Sequence, residues 1–318
     1  MRYRIIAGLM VFLFVGLYFV CSVPASDYPK RPIVLLTMVQ RNAQIDLLAR
    51  GLSKRLSEEL EQPVSVVNRP GGFHGSVMAR ELKEARSDGY TLGVSATAAY
   101  TYTPHSIPTE YSLRDFDFIS KLGLNQSGIV ALPERPWETL EDAFEWAREE
   151  DEILTYIFQG SDDRDAMQRI ADQENVEISL VPSTGGPSVI SAVKSGYADI
   201  GHLGAILFEH VEAGDLSLLA ASTPERLTEI PEVPTLKEQG WDEAVEMYVV
   251  LVAPKGVPHD RIARLEEVML SLEEDEDFQE FVTKELIMAP VPYGREYAET
   301  YMQKAHERFA DKAKEIEE

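Results

Sequence analysis

The chain has 318 residues, 44% of them hydrophobic, which is enough for two α/β domains or one large one and excludes gross disorder. A formal net charge of −24 excludes nucleic acid as a partner, because phosphate binding needs a basic face, and argues equally against docking on anionic lipid. Such acidity reads as a solubility device or an adaptation to high salt.

Met1-Arg2-Tyr3-Arg4 precedes an uncharged apolar run from Ile5 to Val23, the pattern of an export signal. Val23-Pro24-Ala25 places small residues where a cleavage site needs them, so residues 1–25 read as a signal peptide and Ser26 as the first mature residue. The run reaches the roughly 20 residues that span a bilayer, so an uncleaved anchor is the alternative. Either form places the remainder outside the cytoplasm. Cys21 is the only cysteine, and cleavage removes it together with disulfide, thiolate and cysteine–metal chemistry. Tyr18-Phe19-Val20 are too bulky to precede a lipid-modified Cys21.

Strand-like and helix-like stretches then alternate. Pro32 to Thr37 is a buried-strand run, and Ile45, Leu48, Ala49, Leu52, Leu56 and Leu60 repeat at helical spacing. Val64 to Val67, Gly75 to Ala85 and Tyr90 to Ala96 read as strand, helix and strand, with Asn68-Arg69-Pro70-Gly71-Gly72 as the turn between the first two. A second block runs Ile129 to Leu132 (strand), Thr139 to Glu150 (helix, N-capped by Thr139), Leu154 to Phe158 (strand), Asp163 to Gln173 (helix), Ile178 to Val181 (strand) and Pro187 to Lys194 (helix). Asp199 to His202, Leu216 to Ser222 and Val249 to Ala253 read as strands, and two helices over about Arg261–Lys284 and Glu296–Ile316 close the chain. Alternation of this kind predicts parallel sheets with helices on both faces and ligands at the strand carboxyl ends.

Four loops after strands are rich in small or polar residues and open a helix. They are Gln40 to Asp46 (with Arg41, Asn42, Ala43), Ser95-Ala96-Thr97, Gln159-Gly160-Ser161 and Ser183-Thr184-Gly185-Gly186. Each can offer backbone N–H groups and a positive helix end to an anion. Arg41 is the best-placed cation for a bidentate carboxylate contact, and Asp46 reads as a cap or as a receiver of a ligand amine or hydroxyl. Asp162 and Asp163 make the third loop acidic, which would suit a ligand with a positive or hydroxyl-rich part. His202, at a strand end beside the expected cleft, is the one histidine to watch. The others have no metal-ligand spacing, and no nucleophile elbow or phosphate-loop lysine is present in the sequence.

In order, Tyr28-Pro29-x-Arg31-Pro32-Ile33, Asp46-x-x-Ala49-Arg50, Gln62-Pro63-Val64, Val67-Asn68-Arg69-Pro70-Gly71, Asp88-Gly89-Tyr90-Thr91-Leu92, Gly160-Ser161, Val181-Pro182 with Gly185-x-Pro187, Gly196-x-x-Asp199, Val233-Pro234-Thr235-Leu236-x-Glu238-x-Gly240 and Ala253-Pro254-x-Gly256-x-Pro258 span nearly the whole mature chain. This series resembles the extracytoplasmic receptors of the tripartite tricarboxylate transporters, the Bug proteins. The resemblance implies an α/β, two-lobed periplasmic binding protein (type II, Venus-flytrap) with two crossovers. Residues 26–125 and 246–318 would form lobe 1 and 126–245 lobe 2, with crossovers near Gly123–Gly128 and Ala244–Tyr248. It implies a periplasmic, non-enzymatic receptor, monomeric and without cofactor or metal, that passes a small carboxylate to membrane permease subunits. The ligand carboxylate would be held by backbone amides of Gln40 to Asp46 and Gln159 to Asp163, with Ser95–Thr97 and Thr184–Gly186 completing the cleft. The family's Pro-Gly-Gly-x-x-Asp loop is here Arg41-Asn42-Ala43-Gln44-Ile45-Asp46, and Arg164 stands where a histidine often follows the Gly-Ser turn, so an atypical ligand is expected. A sensor feeding a membrane kinase and an enzyme on the same scaffold, using Asp46, His202 or Asp162, are the rival readings.

Overall fold

The computed structural model describes residues 28–317. The expected signal peptide, its cleavage point and Cys21 lie outside the described residues.

The first sheet opens with β1 (Ile33–Thr37), α1 (Gln44–Glu59), β2 (Val64–Asn68), α2 (Ser76–Glu84) and β3 (Thr91–Ala96). β1 pairs in parallel with both β2 and β3, which requires crossover connections, and α1 and α2 supply them. α1 exists because its apolar stripe (Ile45, Leu48, Ala49, Leu52, Leu56) is buried in one cluster with Leu35, Leu92 and Val94 of the sheet. Two short helices, α3 (Ala98–Thr101) and α4 (Thr103–Ser106), lead to β4 (Phe116–Asn125), every residue of which is buried.

The chain then passes to a second sheet. Its elements are β5 (Gly128–Ala131), α5 (Leu140–Glu150), β6 (Leu154–Phe158), α6 (Ser161–Glu174), β7 (Ile178–Pro182), α7 (Gly186–Lys194), β8 (Ile200–Leu203), α8 (Leu207–Glu212) and β9 (Ser217–Ala221). Thr139 caps α5: its side chain accepts from Asp142 N at 3.2 Å while Asp142 Oδ2 accepts from Thr139 N at 2.8 Å, a reciprocal box. Residues 222–247 return to the first sheet as β10 (Tyr248–Pro254), followed by α9 (His259–Glu273), α10 (Glu276–Glu280), β11 (Met288–Ala289) and α11 (Arg295–Glu317).

The strand orders are β2-β1-β3-β10-β4-β11 and β7-β6-β8-β5-β9. Both sheets are mixed, which corrects the expectation of parallel sheets: β10 runs antiparallel to β3 and β4, and β5 antiparallel to β8 and β9. The reason lies in the connections. β5 and β10 are each entered from the other sheet, so they start at the end where the strands of the βα units finish. Two such sheets, joined by chain segments at Asn125–Gly128 and Ala221–Tyr248, make the two-lobed type II binding-protein fold.

The helix expected over Arg261–Lys284 is broken. α9 stops at Glu273, and the Asp275 side chain accepts from Phe278 N at 3.0 Å to start α10, with a π turn over Phe281–Glu285. The core of each lobe lies on both faces of its sheet. The layers are close: a Cβ at Gly201 in β8 would stand 2.7 Å from Val189 of α7 and 2.8 Å from Ile157 of β6.

Candidate functional site

A cavity of about 330 Å³ lies between the lobes. The second sheet contributes the carboxyl ends of β6 and β8, through Gln159, Gly160, Asp162, Asp163, His202 and Gly204. The first lobe contributes Gln44, His74, Asn125 and Met247, and the connecting segments contribute Gln126, Ser127 and Val245. Strand carboxyl ends beside a helix start are where ligands sit in open α/β sheets. A larger cavity of about 640 Å³, bordered by Phe208, Glu212, Glu229 and Lys284, touches α8 and the π turn instead and lacks any strand carboxyl end.

On the second-lobe wall Asp163 is 2% exposed. Its carboxylate accepts from Gln159 N at 2.9 Å, Gly160 N at 2.5 Å and the Tyr156 hydroxyl at 3.1 Å, and lies 3.5 Å from His202 Nδ1. Burial pushes the Asp163 carboxyl above its ordinary range, against the pull of His202 and the two backbone donors, with Asp162 adding to the rise. The Gln159 and Gly160 amides, which the resemblance assigns to a ligand carboxylate, are therefore held by the chain's own carboxylate. His202 Nε2 lies 3.0 Å from Ser222 Oγ, itself 2.8 Å from Ser127 Oγ, so the imidazole joins β8 to both connecting segments.

On the first-lobe wall Asp46 is fully buried. It accepts from Arg50 Nε and Nη2 at 2.9 Å each, Asn68 Nδ2 at 2.7 Å and Asn42 N at 2.8 Å. Burial alone would raise its pKa, but the bonds from Arg50, Asn42 and Asn68 outweigh it and hold the carboxyl below 3.8. With its lone pairs so engaged, Asp46 fixes the start of α1, whose N-cap Ala43 offers no side-chain oxygen. Arg41 and Asn42 are exposed and stand outside the cavity lining, as does Ala43, whose N–H bonds Gln40 O at 3.3 Å.

The Ser95–Thr97 loop is buried and occupied. Met38 Sδ accepts from Ser95 Oγ and Ala96 N, each at 3.2 Å, and Thr97 N donates to Tyr248 O at 2.9 Å. Gly75, at φ +85°, makes room for Met38, since a Cβ there would stand 2.7 Å from Met38 Cβ. In the fourth loop Thr184 N donates to Ser188 Oγ at 2.9 Å and Gly185 N to Ser183 Oγ at 3.4 Å. Thr184, Gly185, Gly186 and Ser161 also stand outside the lining, although a Cβ on Gly186 would lie 3.6 Å from Gln159 Nε2. Of the residues singled out in the sequence, the cavity thus gathers Gln159, Gly160 and His202, with Asp162 and Asp163 beside them.

Gln44 lies within the expected first loop, whereas His74, Asn125, Gln126 and Ser127 were not singled out as lining residues. Asn125 to Ser127 lie within the segment expected to cross between lobes, and a cleft at a hinge is necessarily lined by the hinge. His74 follows the Asn68–Gly72 turn and stacks edge-on to Tyr102, with ring centroids 5.5 Å apart. Tyr102 reaches across the cleft, its hydroxyl donating to Asp165 Oδ2 of α6 at 2.9 Å. Arg164 turns to the same carboxylate, Nε to Oδ1 at 2.7 Å.

The family description "Tripartite tricarboxylate transporter family receptor" matches residues 48–317. Protein BugT of Bordetella pertussis is 30% identical over 245 residues, 74% of each chain. A TctC solute binding protein from Polaromonas, crystallised without ligand, superposes with a TM-score of 0.76 at 22% identity, covering 89% of this chain and 98% of that one. MatC from Rhodopseudomonas palustris with bound malate superposes with a TM-score of 0.71 at 20% identity, covering 90% and 100%.

Proposed function

Because this chain belongs to the tripartite tricarboxylate transporter receptor family, we propose that it is a periplasmic, non-enzymatic receptor that closes its lobes on a small organic carboxylate and hands it to membrane permease subunits. The observation that carries the reading is the 330 Å³ cavity, lined from both lobes and from both connecting segments. A ligand there touches everything that must move relative to everything else, so it binds the closed form more tightly than the open one and shifts the population toward it. Residues 26–125 with 246–318 move as one body against 126–245. The malate bound by MatC supports a carboxylate. No helix of the described residues is long and apolar enough to cross a membrane, and the receptor acts as a monomer on its permease.

A thermal-shift screen of the exported protein against mono-, di- and tricarboxylates, amino acids and sugars tests this. A ligand at about 100 times its Kd adds about 2.7 kcal/mol of stability by linkage. A shift confined to carboxylate-bearing compounds is expected. The same shift in Arg41→Ala would show that the exposed arginine takes no part; its loss would show that closure brings Arg41 in. Absence of a shift with every carboxylate, once carried-over ligand is removed by denaturation and refolding, would refute the receptor reading.

A further inference from the structure

A carboxylate entering the cleft has to be met by hydrogen-bond donors, and the backbone donors expected to meet it are spent inside the chain. Gln159 N and Gly160 N are taken by Asp163, Asn42 N by Asp46 and Ala96 N by Met38. The nearby guanidiniums are engaged too, Arg164 by Asp165 and Arg50 by Asp46. Among the first-lobe side chains in the lining, Met247 is apolar, Gln44 gives its amide to Leu286 O at 2.6 Å, and Asn125 is buried. His74 differs. It is half-buried, lines the cavity, and has neither a hydrogen bond nor an ion pair among the described residues.

The chain is bent to put it there. Gly72 at φ +72°, His74 at φ +46° and Gly75 at φ +85° are all left-handed, a region that residues with a side chain rarely occupy. Such backbone persists where the surroundings over-determine it, and it collects at ligand sites. The surroundings here are two rings met edge-on: Phe73, with centroids 4.5 Å apart, and Tyr102, at 5.5 Å. Held between them, the imidazole reaches the opposite lobe. Its Cε1, the carbon bonded to both ring nitrogens, would lie 3.6 Å from a Cβ on Gly160. Both nitrogens therefore stand where the first-lobe wall meets Gly160 of the second, and Gly160 lines the same cavity.

We propose that His74 is the first lobe's direct contact to the ligand, its imidazole donating a ring N–H to a carboxylate oxygen as the lobes close. This rests on the receptor reading and names a specificity-determining residue for it. A hydrogen bond to an ionised acceptor is stronger than one to a neutral acceptor, so the contact favours carboxylates over neutral solutes. A ligand so held touches the His74 ring and Gly160 together only when the lobes are closed, which ties its affinity to closure.

Isothermal titration of the exported protein and of His74→Phe, both freed of carried ligand, with acetate, succinate, malate, adipate, glutamate and citrate tests this. Phenylalanine keeps a ring against Phe73 and Tyr102 and removes the N–H. Acids that bind the parent should bind His74→Phe roughly 10- to 100-fold more weakly, the worth of a hydrogen bond to a charged group. The melting temperature without ligand should stay within about 2 °C of the parent's. A second readout separates contact from packing. Proton NMR of the acid-saturated parent, with histidine labelled by nitrogen-15, should show a ring N–H protected from exchange that the ligand-free protein and His74→Phe both lack. Affinities in His74→Phe within about threefold of the parent's, or a His74 ring N–H still in fast exchange with the acid bound, overturn the inference and leave the receptor reading standing. Binding by none of the acids overturns both.

Discussion

Replacing Glu243 by Gln tests the ionic tie between the lobes. Glu243 is 7% exposed, and its carboxylate takes Arg169 Nε at 2.6 Å, Arg169 Nη2 at 2.9 Å and Lys312 Nζ at 2.7 Å. Arg169 sits on α6, Lys312 on α11 and Glu243 on the returning segment, so one carboxylate joins both lobes and the connection between them. Glutamine keeps the size but removes the charge and leaves two cations facing each other. Removing one partner of a buried pair costs about 3–5 kcal/mol. The Arg169 and Lys312 side chains are 25% and 23% exposed, so water recovers part of that loss. A cost of about 2–3 kcal/mol remains, which lowers the melting temperature by roughly 4–12 °C for a chain of this size. Burial alone would raise the Glu243 pKa, but the bonds from Arg169 and then Lys312 outweigh it, and the carboxyl titrates below 4.5. A depressed folded pKa means that the contribution is full above the unfolded value and is lost as pH falls through the folded one. Calorimetry of both proteins across pH should therefore show a constant gap near neutrality that closes below pH 4.5. A Glu243→Gln protein melting within about 1 °C of the parent at pH 7, or a gap that widens on acidification, would refute the reasoning.

Two further substitutions probe the packing and the titration of the fold. Gly201→Ala forces a Cβ to 2.7 Å from Val189 and 2.8 Å from Ile157, so urea denaturation should report a loss of about 1–3 kcal/mol, and unchanged stability would mean that α7 can slide off β8 without cost. His306 lies with its Nδ1 3.0 Å from His105 Nε2. Burial, opposed by Glu307 and aided by Arg114, holds its pKa below 6.5. The unfolded chain then binds that proton more readily, so stability falls as pH drops through 6.5 toward the folded value. His306→Gln should flatten that part of the stability–pH curve, and a slope identical to the parent's would assign it to other groups.

The elements with regular apolar spacing were legible in the sequence to within a residue or two. α1 announced itself through Ile45, Leu48, Leu52 and Leu56, and α5 through Thr139 and its first-turn acids. β4 was illegible for the opposite reason. Asp117, Ser120, Lys121 and Asn125 interrupt its pattern, yet all are buried, and partners distant in sequence meet the first three. Asp117 accepts from Lys255 Nζ at 2.6 Å and Gly256 N at 3.0 Å, and Lys121 Nζ sits 4.7 Å from the centre of the Tyr248 ring. Local periodicity cannot register such contacts.

The candidate site divides in the same way. That strand-to-helix loops rich in small residues would edge a cleft is a property of local chemistry, and Gln159, Gly160 and His202 do line it. Which of their polar atoms remain open was decided only by the tertiary structure. Asp163 closes on the amides of its own loop, Met38 on Ala96 N, and Arg50 with Asn68 on Asp46, and each closure removes a donor or an acid that the sequence left free on paper. The sequence by itself determined the family, the alternation of elements and the acidity. The direction of β5 and β10 and the crossing contacts of Tyr102 and Glu243 belong to the tertiary structure. Each depends on residues brought together across long separations in the chain, which the spacing of neighbouring residues does not encode.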